Sequence, residues 1–191
     1  MREKNIVLIG FMGTGKTVVG RRLAEILGRE FVDTDDEIER ALGKPVARIF
    51  AENGERRFRA EEAAVCRRLA GRRGLIIATG GGIVLNPENV RCLRENGILI
   101  ALAASPEEIY RRLAAPASQA AGSRHPAASP RPLLQGDMRA RIQELLRARA
   151  GAYDVAEWTV DTTGRPVEEV VYAIIGYLEG KGCLDFRRSN G

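Results

Sequence analysis

Residues 5–22, NIVLIGFMGTGKTVVGRR, constrain the fold of this chain more than any other stretch. The run Ile6-Val7-Leu8-Ile9 is short and uniformly apolar, the pattern of a strand buried on both faces. It ends at Gly10, and Gly10 through Thr17 complete G-x-x-x-x-G-K-[ST]. Beyond Lys16, the apolar residues Val18, Val19, Leu23, Ile26 and Leu27 recur at three- and four-residue spacings, which predicts a helix. Strand, glycine loop and helix in this order make a phosphate cradle, the P-loop. Glycines let successive backbone N–H groups turn inward with no Cβ in the way. The helix adds its free N-terminal N–H groups and the positive end of its dipole. On this reading Gly13, Thr14, Gly15, Lys16, Thr17 and Val18 bind nucleotide. Lys16 reaches the β- and γ-phosphates, and the Thr17 hydroxyl is a ligand for Mg²⁺. The plainer alternative is a glycine-rich turn with a chance lysine, which leaves the full spacing and both flanks unexplained.

Strand and helix patterns alternate along the rest of the chain, so an α/β fold with a mainly parallel sheet is expected. Strands are predicted at 5–10, 30–34, 74–79, 97–103 and 157–162. Helices are predicted at 15–28, 35–42, 45–53, 55–71, 87–95, 105–115, 137–151 and 166–180. Pro87, Pro106 and Pro166 suit first helical turns, and Asn86 and Ser105 suit N-caps. The segment 115–136 breaks the alternation. It is rich in Ala, Pro and Ser, and a loop this long in a compact domain is a lid or an inserted surface segment. The expectation is one domain over 1–180, an insertion at 116–130 ahead of Arg131-Pro132-Leu133-Leu134, and a C-terminal tail from 181 to 191.

Composition removes several function classes. The chain has 191 residues, enough for a real core, and no apolar run long enough to cross a bilayer. Met1 to Asn5 lead directly into the predicted first strand and leave no secretory signal ahead of it, so the cytoplasm is the expected compartment. Net charge is +5, but aromatics are only 5% and no basic stripe is interleaved with them. Neither a nucleic-acid nor a membrane partner is therefore expected. The three cysteines are far apart, with no CxxC pair, and His125 is the only histidine. A zinc site, a disulfide framework and a His-based triad are all unsupported. The arginines are better read as partners for small anions, with most of them simply solvated.

Three further stretches carry chemistry. Phe31-Val32-Asp33-Thr34-Asp35-Asp36 closes the second predicted strand. In an extended chain Asp33 and Asp35 face one side, beyond the carboxyl end of a strand, where α/β sheets bind ligands. One carboxylate can help hold Mg²⁺ and the other can accept the proton of an attacking hydroxyl. The alternative is that Asp35 or Asp36 only caps the next helix. The third strand ends in Thr79-Gly80-Gly81-Gly82. Bare backbone there admits a close ligand, or makes a plain turn. No carboxylate comes from this strand end, which favours Asp33 for the metal. Finally, Arg59 enters a helix three residues before Glu62, which can orient its guanidinium. Arg112, Arg131 and Arg149 are further candidates, and spacing does not choose among them.

Taken together, these motifs resemble the shikimate kinases, small P-loop enzymes of the nucleoside monophosphate kinase structural class. The likeness runs from about residue 5 to 178. It rests on GFMGTGKT (10–17), FVDTDDEIE (31–39), IFAENGERRFRAEE (49–62), TGGG (79–82), RPLL (131–134), RARAGAY (147–153) and VDTTGRP (160–166). The resemblance implies a three-layer α/β/α fold with a five-stranded parallel sheet of order 2-3-1-4-5 and a mobile lid. It implies transfer of the ATP γ-phosphoryl group to the 3-hydroxyl of shikimate, on the route to chorismate and the aromatic amino acids. Lys16 would contact the phosphates and Thr17 would bind Mg²⁺, with Asp33 behind it through water. Asp35 would hold the shikimate hydroxyls and act as base. Arg59 and Arg149 would clamp the carboxylate, and Gly81, with Gly82 beside it, would meet the ring hydroxyls. Arg131 would swing in with the lid as a catalytic arginine at the phosphates. Arg112 and Arg165 would border the adenine. A monomer acting on small molecules is expected.

Two departures stand out. About fifteen extra residues, 116–130, separate the preceding helix from RPLL, judged against usual loop lengths. Gly151 stands where a proline is more usual. Arg124 and His125, inside the insertion, have no counterpart and receive no role. The alternatives are another small-molecule P-loop kinase, such as a gluconate kinase, and a non-catalytic nucleotide-binding module. The second would be expected to have lost Lys16, Asp35 or Arg59, and all three are present.

Overall fold

Strand β1 (Asn5–Ile9) is buried at every position, and its alternation builds two faces at once. Val7 and Ile9 point into one apolar cluster; Ile6 and Leu8 point into another. The same division holds for Ile77 against Ile76, and for Leu99 and Ala101 against Ile98, Ile100 and Leu102. A strand covered on both faces needs apolar residues at both parities, which is why these stretches read as unbroken hydrophobic runs. The computed structural model describes residues 4–115, 134 and 136–184. Arg131, Arg124, His125 and the expected insertion at 116–130 lie outside the described residues.

In chain order the remaining elements are α1 (Lys16–Leu27), β2 (Phe31–Asp33), α2 (Thr34–Leu42), α3 (Val46–Ala70), β3 (Ile76–Ala78), α4 (Pro87–Glu95), β4 (Gly97–Ala103), α5 (Pro106–Ala114), α6 (Met138–Ala148), β5 (Trp158–Asp161) and α7 (Val167–Gly180). All pairings are parallel, and the sheet order is β2-β3-β1-β4-β5, as the resemblance implied. Helices cover both faces, giving three layers.

Several boundaries differ from expectation for identifiable reasons. The helices expected at 45–53 and 55–71 run on as α3, broken only at Gly54, whose φ of 75° and ψ of 168° are not helical. The expected helix 137–151 stops at Ala148, leaving Arg149 at the C-cap, because Gly151 turns the chain at φ 78°. Pro166 precedes α7 as its N-cap rather than entering it. A short 3₁₀ turn, Ile83–Leu85, follows the glycines and had no signal in the periodicity. Asn86 and Ser105 do cap α4 and α5, accepting from the N–H groups of Glu88 and Glu108.

The register explains why distant motifs meet. Leu8 and Asp33 both lie opposite Ala78. Gly10, Thr34 and Gly80, each two positions or one beyond, therefore emerge at one level of the sheet. Gly80 N–H donates to Thr34 Oγ1 at 2.9 Å, and the Thr79 hydroxyl donates to Leu8 O at 3.1 Å. The carboxyl ends of β1, β2 and β3 thus share one rim, the usual ligand crevice of an open parallel sheet.

Candidate active site

A cleft of about 1270 Å³ opens on that rim. Its lining includes every expected site residue that the structure describes: Gly13 to Val18, Asp33, Asp35, Arg59, Gly81, Gly82, Arg112, Arg149 and Arg165. Arg131 lies outside the described residues.

At one end the P-loop wraps its own lysine. Lys16 is 8% exposed, and its Nζ donates to Gly10 O at 2.9 Å and Phe11 O at 2.8 Å. Burial pulls its pKa down to about 8, against the opposing charges of Asp33 and Asp35. The loop can adopt this shape only with glycine at its start. A Cβ on Gly10 would lie 2.3 Å from the carbonyl oxygen of Leu102. Around the outside, Arg112 ties the loop to its neighbours. Its Nη1 donates to Gly13 O at 3.3 Å and to Thr162 Oγ1 at 3.0 Å, and its Nη2 to Thr162 O at 2.6 Å. The buried Thr162 hydroxyl in turn reaches Thr14 O at 3.1 Å. Thr162 was not singled out from the sequence, where it reads only as part of a post-strand turn. Arg165 is held on the rim by Glu169 at 2.7 Å and by Asp161 O at 3.1 Å.

Asp33 joins this end to the next. The Thr17 hydroxyl donates to its Oδ2 at 3.0 Å, while its Oδ1 accepts the Asp35 N–H at 3.0 Å. Asp33 is thus the N-cap of α2, and Asp35 is the helix's second residue. This corrects the sequence reading on two points. Asp33 and Asp35 are not on one side of an extended strand, because β2 ends at Asp33. Neither Asp35 nor Asp36 is the cap. Both Asp33 and Asp35 still face the cleft, because the capping bond turns the first helical turn toward it. Burial, reinforced by the charge of Asp36, raises the Asp33 carboxyl above the ordinary range; Asp35 N–H, Thr17 and Lys16 oppose the rise. Hydroxyl and carboxylate oxygens side by side are the hard donors Mg²⁺ takes. Among the described residues no cluster of three or more His, Cys, Asp or Glu could cage a metal. The pair therefore suits an ion that keeps phosphate and water ligands.

At the other end the three glycines form a floor, each clearing a different group. A Cβ on Gly80 would lie 2.7 Å from Asp35 Oδ1 and 3.1 Å from Glu62 Oε1. On Gly81 it would meet Met12 N at 3.2 Å, and on Gly82 the Arg59 Nη1 at 2.7 Å. A side chain at any of these positions would crowd the groups that face the cleft, so the stretch is fitted closely to them. Arg59 is gripped from two turns of α3. Glu62 Oε2 accepts from Nη1 at 2.8 Å, as its three-residue spacing predicted. Glu55 Oε1 accepts from Nε at 3.2 Å and Nη2 at 2.9 Å. Glu55 was missed, although its four-residue spacing was a readable signal. Glu62 is 1% exposed, and its Oε1 has no hydrogen-bond partner among the described residues. Burial raises its carboxyl above the usual range, with Arg59 pulling the other way. Arg149, 6% exposed, donates from Nη1 to Gly81 O at 3.2 Å and lies over the Phe11 ring, 5.5 Å from its centroid. Phe50 and Phe58, with ring centroids 4.7 Å apart, give this end an apolar wall.

One end of the cleft can cradle a phosphate chain, and the other carries the carboxylates of Asp35 and Glu62 beside the guanidinium groups of Arg59 and Arg149. Comparisons with known proteins point to one family. A sequence model of the shikimate kinase family matches residues 12–179. A shikimate kinase of Desulforudis audaxviator (strain MP104C) is 57% identical over 182 residues, covering 95% of this chain and 90% of the relative. One from Pelotomaculum thermopropionicum is 56% identical over 183 residues, covering 95% and 99%. Among solved structures, shikimate kinase from Acinetobacter baumannii in complex with shikimate matches with a TM-score of 0.82 at 36% identity, covering 94% of each chain.

Proposed function

The chain belongs to the shikimate kinase family, and we propose that the two ends of its cleft divide the family's reaction between them, nucleotide at the P-loop and shikimate over the three glycines. The enzyme is an ATP-dependent kinase that moves the γ-phosphoryl group to the 3-hydroxyl of shikimate, giving shikimate 3-phosphate and ADP. The observation that carries the proposed division is the joint at Asp33, which touches Thr17 on one side and sets Asp35 on the other.

In this reading Lys16 leaves the carbonyls of Gly10 and Phe11 to meet the β- and γ-phosphates, and the amides of Gly13 to Val18 cradle them. Thr17 and Asp33 would hold Mg²⁺, which when bound neutralises charge on the phosphate oxygens. Arg59 and Arg149 grip the shikimate carboxylate, each already anchored so that little ordering remains to be done. Gly81 and Gly82 lie under the ring hydroxyls, and the unpartnered Glu62 Oε1 offers them an acceptor. Asp35 accepts the proton of the attacking 3-hydroxyl. Arg112 and Arg165 border the adenine, Arg112 chiefly by fixing the outer side of the P-loop. Arg131 is assigned the lid role of its motif, at the transferred phosphoryl group. One kinase domain over 1–180, acting as a monomer on small molecules, is the proposed unit. The cytoplasm, with its ATP and reduced thiols, is the proposed compartment; Cys66, Cys92 and Cys183 are free. No helix among the described residues is long and apolar enough to cross a membrane.

A coupled ADP-release assay tests acceptor choice. Turnover is expected with shikimate and not with gluconate. The reverse result would place the acceptor reading in the wrong class.

A further inference from the structure

The carbonyl of Gly81 accepts two hydrogen bonds, and both donors come from one short stretch of chain. Arg149 Nη1 donates at 3.2 Å and the Tyr153 hydroxyl at 2.7 Å. A peptide carbonyl has two lone pairs, so both are in use. The stretch itself is tightly folded. Ala152 N–H donates to Arg149 O at 3.0 Å, and Ala156 N–H to Tyr153 O at 3.0 Å. Arg149 and Tyr153 therefore sit at fixed offsets between α6 and β5. The Tyr153 ring packs against two apolar clusters. One is the sheet-side core containing Val7 and Ile9; the other is the cluster of Phe11, Ile109, Leu113, Leu134 and Ile142 beneath α5 and α6. Nothing in the phosphoryl transfer described above uses the tyrosine. The sequence shows it only as the last residue of RARAGAY.

We infer that Tyr153 is a positioning residue for the acceptor: its hydroxyl fixes the Gly81 carbonyl, and through that shared carbonyl fixes the guanidinium of Arg149 against the shikimate carboxylate. The inference rests on Arg149 being a carboxylate clamp. The physical reason is competition for one atom. Without the phenol, the Gly81 peptide is free to rock, and Arg149 becomes the carbonyl's remaining donor. Its head group then follows the peptide instead of holding still for the substrate. Misplacement of a clamp by a fraction of an ångström is felt in substrate affinity long before it is felt in folding. Burial also raises the phenol's ionisation above its usual range, with the adjacent Arg149 guanidinium pulling the other way, so the hydroxyl remains a donor through the pH range of ordinary assays.

The test is steady-state kinetics on Tyr153→Phe, Arg149→Ala and the double variant. Tyr153→Phe is expected to raise KM for shikimate about fivefold, the worth of one buried hydrogen bond, while KM for ATP and kcat stay within about twofold. The double variant is expected to be no worse than Arg149→Ala alone, because the phenol acts through that arginine. Shikimate methyl ester, which lacks the carboxylate charge, is expected to show no difference between wild type and Tyr153→Phe. Equal rises in both KM values, or additive losses in the double variant, would mark the tyrosine as packing and overturn the inference. An unchanged KM for shikimate in Tyr153→Phe, with a raised one in Arg149→Ala, overturns the inference and leaves the clamp standing. An unchanged KM in Arg149→Ala removes the clamp, and the inference with it. Should the phenylalanine variant fold poorly, a fluorinated tyrosine at 153 keeps the ring. Its phenol ionises at lower pH, and KM for shikimate alone is then expected to climb as pH rises; a flat profile overturns the inference.

Discussion

The two ends of the cleft are built from different materials. The donor end is mostly backbone: Gly10 and Phe11 carbonyls on Lys16, P-loop amides, and Gly13 and Thr14 carbonyls tied down by Arg112 and Thr162. The acceptor end is mostly side chain. Asp35 comes from α2, Arg59 and Glu62 from α3, and Arg149 from the end of α6, over a floor of three glycines on β3's exit. Backbone chemistry is available to any sequence that can take the right dihedrals, so the donor end suits a phosphate chain and little else. Side chains carry charge sign, geometry and reach, so the acceptor end can name a particular small acid. The difference teaches where specificity and stability sit. On the proposed division, errors at the donor end are expected to strain the fold, and errors at the acceptor end to change what is phosphorylated.

The largest expected effect separates chemistry from binding within the acceptor end. Asp35→Asn is expected to lower kcat by about 10²–10⁴-fold, the usual worth of a general base, with modest change in either KM. Near-normal turnover would leave the acceptor end without its base. The donor end is challenged next by Gly10→Ala. Its Cβ meets the Leu102 carbonyl, which is backbone and cannot step aside, so a loss of about 3 kcal/mol in unfolding free energy is expected. Thermal or urea unfolding reads this directly, and an unchanged midpoint would break the proposed division. Arg59→Ala tests the other side of it. KM for shikimate should rise about 30-fold or more, since Glu62 is also left buried without its partner, while KM for ATP moves about twofold at most. Equal rises would argue against a carboxylate clamp.

The smallest effect is a pH dependence confined to the donor end. Lys16 in the free enzyme titrates at about 8, and bound phosphates pull that value up. Binding ATP therefore takes up a proton once the free lysine begins to lose its own. Affinity for ATP is expected to be steady below about pH 7.5 and to weaken as pH rises through about 8, by at most about tenfold per unit. Titration calorimetry across that range checks it. A flat profile would mean that Lys16 holds its charge despite its burial.

Legibility in the sequence followed the same division. The donor end was readable outright, because a backbone cradle is made by consecutive residues and leaves a contiguous motif from Gly10 to Thr17. The sheet was readable too, because strands covered on both faces must be apolar at both parities. The pair Arg59–Glu62 was visible as a helical spacing, and Glu55–Arg59 could have been. The Asp33–Asp35 argument brought both residues to the cleft by a wrong route, since strand alternation does not apply past a capping residue. Thr162 and Tyr153 were legible only as members of motifs, with no sign of what they hold. Each acts on a carbonyl of a segment far away in the chain, 148 residues for Thr162 to Thr14 and 72 for Tyr153 to Gly81.

By itself the sequence determined the phosphate cradle, the alternating α/β pattern and, through its motifs, the family. Only the tertiary structure decided which groups share the cleft and what each one rests on. The physical reason is register. Parallel pairing sets Leu8 and Asp33 against Ala78, and so brings the ends of three strands to one rim. No local pattern encodes that alignment. It comes from burying both faces of the sheet at once, and it turns separated motifs into one site, with Asp33 tied to Thr17 on one side and to Asp35 on the other.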